Sequence, residues 1–378
     1  MEIMNKSDLS RNLYMLNGPL AKNGYDWWWH NFTGYNQVTG EEKTFFIEYF
    51  ICNPELGNGQ PILGQLPTNQ AIGRKPSYAL IKVGAWGKDA KQIHNFYAIS
   101  DFKFKEQSLD LSIGSCELSE THLLGSCSLS KEDVIKHEEY MCDAGSMSWN
   151  LKIDKKIAYN VGYGASKLFR KLNAFEMFWH AEGIKTEYSG TVEFDDSIYD
   201  VIPEKSYGYS DKNWGSDFTS PWLWLSSCNM KSLMSGEILE NSAIEFGGGK
   251  PKVFGKSLNR KLLGGFYYEG KMYDYNFSKF WRKSHIDFEF IKGEHFNTWK
   301  LKAENRKSIM NLTLECPVDE MLLINYEAPN GTKKHNQLWN GGTGFGKIEL
   351  LKKNRNGTQL IDLIEVKNTG CEYGEYDA

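Results

Sequence analysis

The sequence predicts an all-β protein, a sandwich or a barrel, and three observations carry that expectation. Aromatic residues are abundant, with 12 Trp, 20 Tyr and 21 Phe forming 14% of the 378 residues. Rings favour strands and line apolar pockets. The apolar runs are short, rich in aromatic and β-branched residues, and broken by Gly, Asn or Asp at the spacing of strands and turns. Signals for helix are few. An aromatic-rich β protein with a hydrophobic cavity is the picture that results.

In chain order, Thr44–Cys52 (TFFIEYFIC), Ser77–Trp86 (SYALIKVGAW), Ser108–Ile113, Ser146–Ile153 and Phe175–Glu182 read as strands of the first half. Trp222–Asn229, Gly264–Glu269, Lys271–Asn276, His285–Lys292, Phe296–Ala303, Ile309–Glu315, Gly346–Leu351 and Thr358–Val366 follow in the second. Glu269-Gly270-Lys271 and Asn356-Gly357 have the composition of hairpin tips. Ser130-Lys131-Glu132-Asp133 starts a capped helix running to about Tyr140, and a second short helix is expected over Ser166–Leu172. Each half opens on a Trp-rich segment, Tyr25–His30 (YDWWWH) and Asp211–Gly215 (DKNWG). Pro203–Ser206 is the expected boundary, giving units 1–203 and 204–378 with the second Trp-rich segment in the latter.

Composition excludes several classes of function. A formal charge of −4 is wrong for a strongly basic nucleic-acid binder, and 40% apolar residues is too many for a disordered chain. Met1–Asn12 has no apolar core, so no secretory signal is expected, and no run approaches the ~20 apolar residues of a membrane span. The seven cysteines are scattered without a CxxC pair, which points to free thiols in a cytoplasmic protein rather than zinc or a disulfide framework. Gly247-Gly248-Gly249-Lys250 lacks phosphate-loop spacing and reads as a turn, and Gly341–Gly346 precedes a strand rather than opening a helix. There is no Gly-x-Ser-x-Gly elbow, and the histidines show no HxH or HxxxH pair for a metal. No cofactor and no metal are expected.

The densest cluster of rings and polar groups is Ser206-Tyr207-Gly208-Tyr209-Ser210-Asp211-Lys212-Asn213-Trp214-Gly215, followed by Trp222-Leu223-Trp224-Leu225-Ser226-Ser227-Cys228-Asn229. Strand alternation puts Trp222 and Trp224 on one face and Leu223 and Leu225 on the other. The pattern Tyr-x-Asp-x-Asn-Trp-Gly with its Trp-x-Trp strand ending in Cys-Asn resembles the signature of the tocopherol cyclases and the related carotenoid hydratases (hydroxyneurosporene synthases). The resemblance takes in Phe178–Gly183 (FWHAEG), Ser189–Phe194, Tyr268–Tyr273, Trp299–Asn305 and Gly346–Leu350, and is good over about Ala174–Gly374. Asp211 stands where plant cyclases resemble this site with Glu, a hydratase-like feature, whereas Lys212-Asn213-Trp214-Gly215 has the cyclase-like form.

The resemblance implies a tandem of two lipocalin-like (calycin) antiparallel barrels and addition across an isoprenoid double bond. In the cyclases a phenolic oxygen adds; in the hydratases, water. The implied acid and its tyrosine fall on Asp211 and Tyr209, with His180 a candidate base for the attacking hydroxyl and Trp214, Trp222 and Trp224 walling the pocket. Trp179, Asn213 and Asn229 are further substrate-binding candidates within the matching segments, while Trp27–Trp29 read as a plug of the first barrel. Alkene protonation needs a carboxylic acid kept neutral by burial, because an unperturbed pKa of about 3.9 would leave it ionised. Two other readings stand beside cyclisation: hydration of a polyene, and non-catalytic carriage of an apolar small molecule. The expected partner is a hydrophobic small molecule, with at most transient membrane contact and no nucleic acid.

Overall fold

The computed structural model describes residues 9–375 apart from 58, 162–165, 258–260, 278–282, 325 and 332–337. The expectation drawn from Met1–Asn12 therefore lies mostly outside the described residues. Among the described residues the chain forms two large antiparallel sheets, one of 12 strands between Tyr25 and Gly215 and one of 11 between Trp222 and Gly374. This is the all-β class that the sequence predicts, with one antiparallel sheet following the other along the chain.

Six of the thirteen expected strands lie inside longer ones, and the other seven overlap observed strands but overrun them at one or both ends. Thr44–Cys52 falls in Glu42–Cys52, and Ser146–Ile153 in Gly145–Tyr159. Gly346–Leu351 and Thr358–Val366 are the centres of Leu338–Asn354 and Gly357–Gly374, joined as a hairpin at Arg355-Asn356. The Glu269-Gly270 tip has positive φ at both residues, 40° and 84°, the type I′ geometry that matches strand twist. Ser130 caps its helix, the Oγ accepting the Asp133 N–H at 3.1 Å, but the helix ends at Lys136 and a single 3₁₀ turn covers Glu138–Tyr140. Ser166 likewise caps Lys167–Lys171.

Two expectations are corrected. Gly247–Gly249 belongs to the strand Ala243–Gly249 rather than a turn; at Gly247 the small residue makes room for an indole, since a Cβ there would lie 3.0 Å from Trp179 Cη2. The motif strand, Gly208–Gly215, pairs with Tyr25–Asn36 on one side and Met177–Phe194 on the other, so it completes the first sheet instead of opening the second. The change of sheet comes after Gly215, not at 203/204.

That placement decides the site. Successive residues of the motif strand alternate between the first sheet's own interior and the face turned to the second sheet. Toward the interior, Trp214 stacks on Phe178 at 5.4 Å and Trp28 is fully buried. Burying rings of this size contributes about 3 kcal/mol each. The second sheet has its own core, built from Leu223, Leu225, Phe246, Trp299, Leu312 and Ile348.

Candidate active site

Tyr209, Asp211 and Asn213 share the face of the motif strand that meets the second sheet. The flanking strands bring Trp27 and Trp29 from one side and Met177 and Trp179 from the other onto that face. From the second sheet come Trp222 and Trp224, one face of Trp222–Ser227 as alternation requires, with Leu223 and Leu225 turned to the core. Between them lies a narrow cavity walled by Trp27, Trp29, Asp211, Trp222, Trp224 and Glu372. It adjoins a second, apolar cavity through the shared Met177, Thr219 and Trp222, where Trp179, Gly247 and Leu263 form the wall. Glycine makes room for the indoles here too, since a Cβ on Gly370 would fall 2.2 Å from Trp224 Cη2.

Asp211 is buried in this wall. Its Oδ2 accepts the Trp179 indole N–H at 2.8 Å and lies 3.0 Å from the Tyr209 hydroxyl, while its Oδ1 has no partner among the described residues. The Tyr209 hydroxyl also lies 2.9 Å from Glu245 Oε1, which accepts the Trp224 indole N–H at 3.0 Å. A tyrosine hydroxyl carries one proton and here touches two carboxyl oxygens, so at least one carboxyl must be protonated for both contacts to be hydrogen bonds. A neutral Glu245 that donates to Tyr209, which donates in turn to Asp211 Oδ2, satisfies the chain and leaves the Asp211 proton on the bare Oδ1.

The electrostatics agree. Burial pushes Asp211 up to about 8, against the opposing pull of the Trp179 and Tyr209 hydrogen bonds. Burial also raises Glu245 well above the carboxylate range, and the Asp211 charge adds to it. Glu372, on the cavity wall with Asp211, is raised by burial to about 7, and its oxygens accept from Trp222 Nε1 at 2.8 Å and from the Asn340 amide.

The opposite face of the motif strand is charged and compensated. Lys212 pairs with Asp26 and stands over the Trp28 ring at 3.7 Å. His180 lies on this face, not in the cavity: it neighbours Trp179 in sequence, so its ring projects the other way, among Arg11, Lys155, Arg170 and Lys212. Burial and those cations hold it well below the usual histidine range, and neither ring nitrogen has a partner among the described residues. The cavity thus loses its expected base.

Trp214 also faces inward, on Phe178, and does not wall the pocket. Asn213 shares the cavity face but accepts the Tyr25 hydroxyl at 2.7 Å and braces that ring against Phe218. Asn229 is remote, its amide donating to Asn368 at 2.6 Å. Trp27 and Trp29 line the cavity rather than plugging a barrel, whereas Trp28 between them points inward and donates to the Asn12 carbonyl at 2.7 Å. Trp179 serves both as a wall of the second cavity and as a donor to the acid.

Glu245, Glu372, Phe218 and Tyr326 were missed by sequence reasoning. Both glutamates sit in apolar strand sequences, AIEFGGG and TGCEYG, where a lone acid among inward positions was the available signal. Among the described residues no group of three or more His, Cys, Asp or Glu could hold a metal ion, and no helix is long and apolar enough to cross a membrane.

Residues 82–375 match the model of the tocopherol cyclase-like family. A protein of Oryza sativa subsp. japonica named "Probable tocopherol cyclase, chloroplastic" is 31% identical over 142 residues, covering 36% of this chain and 27% of the rice protein. A chloroplastic tocopherol cyclase of Zea mays is 32% identical over 105 residues, covering 27% and 20%. The chain thus spans about a quarter of the length of these curated relatives. Among solved structures, an AttH-type protein from Nitrosomonas europaea aligns with a TM-score of 0.42 at 10% identity, covering 91% of this chain and 92% of that one. CghA, solved with Sch210972, aligns at 0.45 and 8%, covering 94% and 90%.

Proposed function

The chain belongs to the tocopherol cyclase-like family, and from that premise we propose that it closes a ring on a prenylated, quinol-like substrate by acid-catalysed addition of a hydroxyl across an isoprenoid double bond. One observation supports the reading: a buried acid, raised to about pKa 8, lines a cavity walled by indoles and has one oxygen without a hydrogen-bond partner among the described residues. A carboxyl in that state is neutral at pH 7 and suited to give up a proton.

The catalytic roles follow from position. Asp211 gives its Oδ1 proton to the less substituted alkene carbon, which leaves a tertiary cation. The Trp27, Trp29, Trp222 and Trp224 faces stabilise that cation by roughly 0.5–2 kcal/mol each, and orientation and exclusion of water supply the rest. The substrate's own hydroxyl oxygen then closes the ring. Tyr209 is a positioning residue: it holds Asp211 Oδ2, with Trp179, so that the proton resides on the other oxygen. The adjoining apolar cavity suits the remainder of an isoprenoid tail.

The reading includes a cofactor-independent enzyme in a cytoplasmic setting, which rests on the free thiols; the relatives with printed locations are chloroplastic. Its partner is the hydrophobic substrate.

The test is incubation of the purified protein, without additives, in heavy water with prenylated hydroquinones and linear polyenes, followed by mass spectrometry. An isomeric product with one non-exchangeable deuterium is expected. A product heavier by deuterated water would make the protein a hydratase, and recovery of unchanged, tightly bound substrate would make it a carrier.

A further inference from the structure

We propose that Glu372 is the proton acceptor of ring closure, taking the proton that the attacking hydroxyl loses. This rests on the cyclase reading above and fills the role that His180 cannot, since that ring lies on the far side of the motif strand.

The two cavity carboxyls are held in opposite ways. Asp211 receives both of its hydrogen bonds on Oδ2 and keeps Oδ1 bare. Glu372 receives one on each oxygen, Trp222 Nε1 on Oε2 and the Asn340 amide on Oε1. Donors on both oxygens favour a carboxylate, and a bare oxygen on a desolvated carboxyl favours an acid. Asn340 is the direct cross-strand partner of Glu372, so the amide is fixed there by strand register rather than by a flexible loop. The charges facing Glu372 from other elements are Glu48 and Lys82 of the first sheet and Asp211 of the motif strand. Lys82 is shared with Glu48, its closer partner, so Glu372 is left an acceptor rather than a neutralised ion pair.

Coupling between the two carboxyls gives the step its direction. While Glu372 is ionised, its charge helps keep the proton on Asp211. Once Asp211 has delivered that proton to carbon, the new Asp211 charge raises the proton affinity of Glu372 in turn. The balance is complete: the alkene π pair takes the Asp211 proton, so the π bond and the Asp211 O–H break as a C–H bond forms; a hydroxyl lone pair then forms the C–O bond to the cation; the hydroxyl O–H breaks and its proton goes to Glu372. The product is an isomer of the substrate, and exchange with water resets both carboxyls after release.

The test is Glu372→Gln with a prenylated hydroquinone in heavy water, scored separately for deuterium at carbon and for ring closure. The variant is expected to keep protonating carbon, so deuterium enters recovered or double-bond-shifted alkene, while ring closure falls by roughly 10²-fold, the scale of a lost proton-transfer group. It should also lose the rise in rate with pH near 7 that is expected of the wild type, and Glu372→Asp should restore ring closure in part with that limb displaced. Ring closure by Glu372→Gln at the wild-type rate and pH profile would overturn the assignment and leave the cyclase reading intact. A wild type that neither closes a ring nor takes up deuterium would overturn both. Should Glu372→Gln fail to fold, Glu372→Asp decides: an unmoved pH limb is evidence against the acceptor.

Discussion

Two buried aspartates lie on the two faces of one strand pair and meet different fates. Asp26 projects into the interior of the first sheet, where Lys212 reaches it. Burial pushes Asp26 up only to about 6, because that ammonium pulls it back, and Lys212 is lowered to about 8, so the pair is charged at pH 7. Asp211, next to Lys212 in sequence, faces the other way and has no cation beside it. Its neighbours are an indole N–H, a tyrosine hydroxyl and two more carboxyls, and it is held near 8. Desolvation is the largest influence on both acids. The difference is the counter-charge, and it turns one carboxyl into a structural ion pair and the other into an acid. A single alternation of the backbone separates them.

The largest effect expected from breaking this contrast is on turnover. Asp211→Asn should fold and bind ligand yet lose about 10²–10⁴-fold in rate, the usual contribution of a general acid, measured as deuterium uptake in heavy water. A variant of full activity would remove the acid from the account. On the compensated face the loss should be in stability instead. Lys212→Met leaves Asp26 buried without its partner and should cost about 3–5 kcal/mol in urea unfolding, whereas replacing both residues with apolar ones should recover most of it.

Stability against pH sharpens the comparison further. Asp211 has a folded pKa near 8 against an unfolded value near 3.9. Between those values the folded state holds a proton that the unfolded chain has released, so raising the pH favours unfolding. Glu372 acts with the same sign up to about 7, and Asp26 up to about 6. Above about pH 6.5, where the buried His30, His94 and His180 no longer oppose the trend, stability should therefore fall toward pH 8, and Asp211→Asn should flatten that slope; an unchanged slope would mean the acid is not raised. The rate should fall in the same sense as pH passes about 8, because the acid form is then lost. The smallest effect is that of Tyr209→Phe. Removing one donor from Asp211 Oδ2 should move the high-pH limb of the rate upward and slow turnover up to about tenfold, the worth of one hydrogen bond.

The fold was legible because its signals are local. Aromatic and β-branched runs, Gly-containing tips and Ser caps are read within a few residues, and the caps at Ser130 and Ser166 and the tip at Glu269-Gly270 lie where local chemistry puts them. Asp211, the acid of the proposed reaction, stands out in the sequence as part of a motif. What alternation tells is which residues share a face, not which face is the cavity. Rings occupy both sides of the motif strand, so Trp214 and His180 were placed with Asp211 although they sit among the even-numbered residues, with Lys212. The same ambiguity hid Trp27 and Trp29 behind the fully buried Trp28. Glu245 and Glu372 come from strands 34 and 161 positions after Asp211 (245 − 211 and 372 − 211), and no local pattern encodes a meeting made by sheet packing. The motif strand's return to the first sheet was hidden for the same reason, since Pro203–Lys205 has the composition of a boundary but is a 3₁₀ turn inside one sheet.

The account rests on Asp211 being an uncharged acid in the resting protein, and that state can be observed without any substrate. The direct measurement is the infrared carboxyl spectrum of the wild type minus that of Asp211→Asn, recorded across pH 5–9. The expected difference is a protonated carboxyl band present at pH 7 that gives way to carboxylate as pH passes about 8, in line with the position to which burial raises the group. A carboxylate signature already complete at pH 7 would contradict the account, because Asp211 would then have no proton to give.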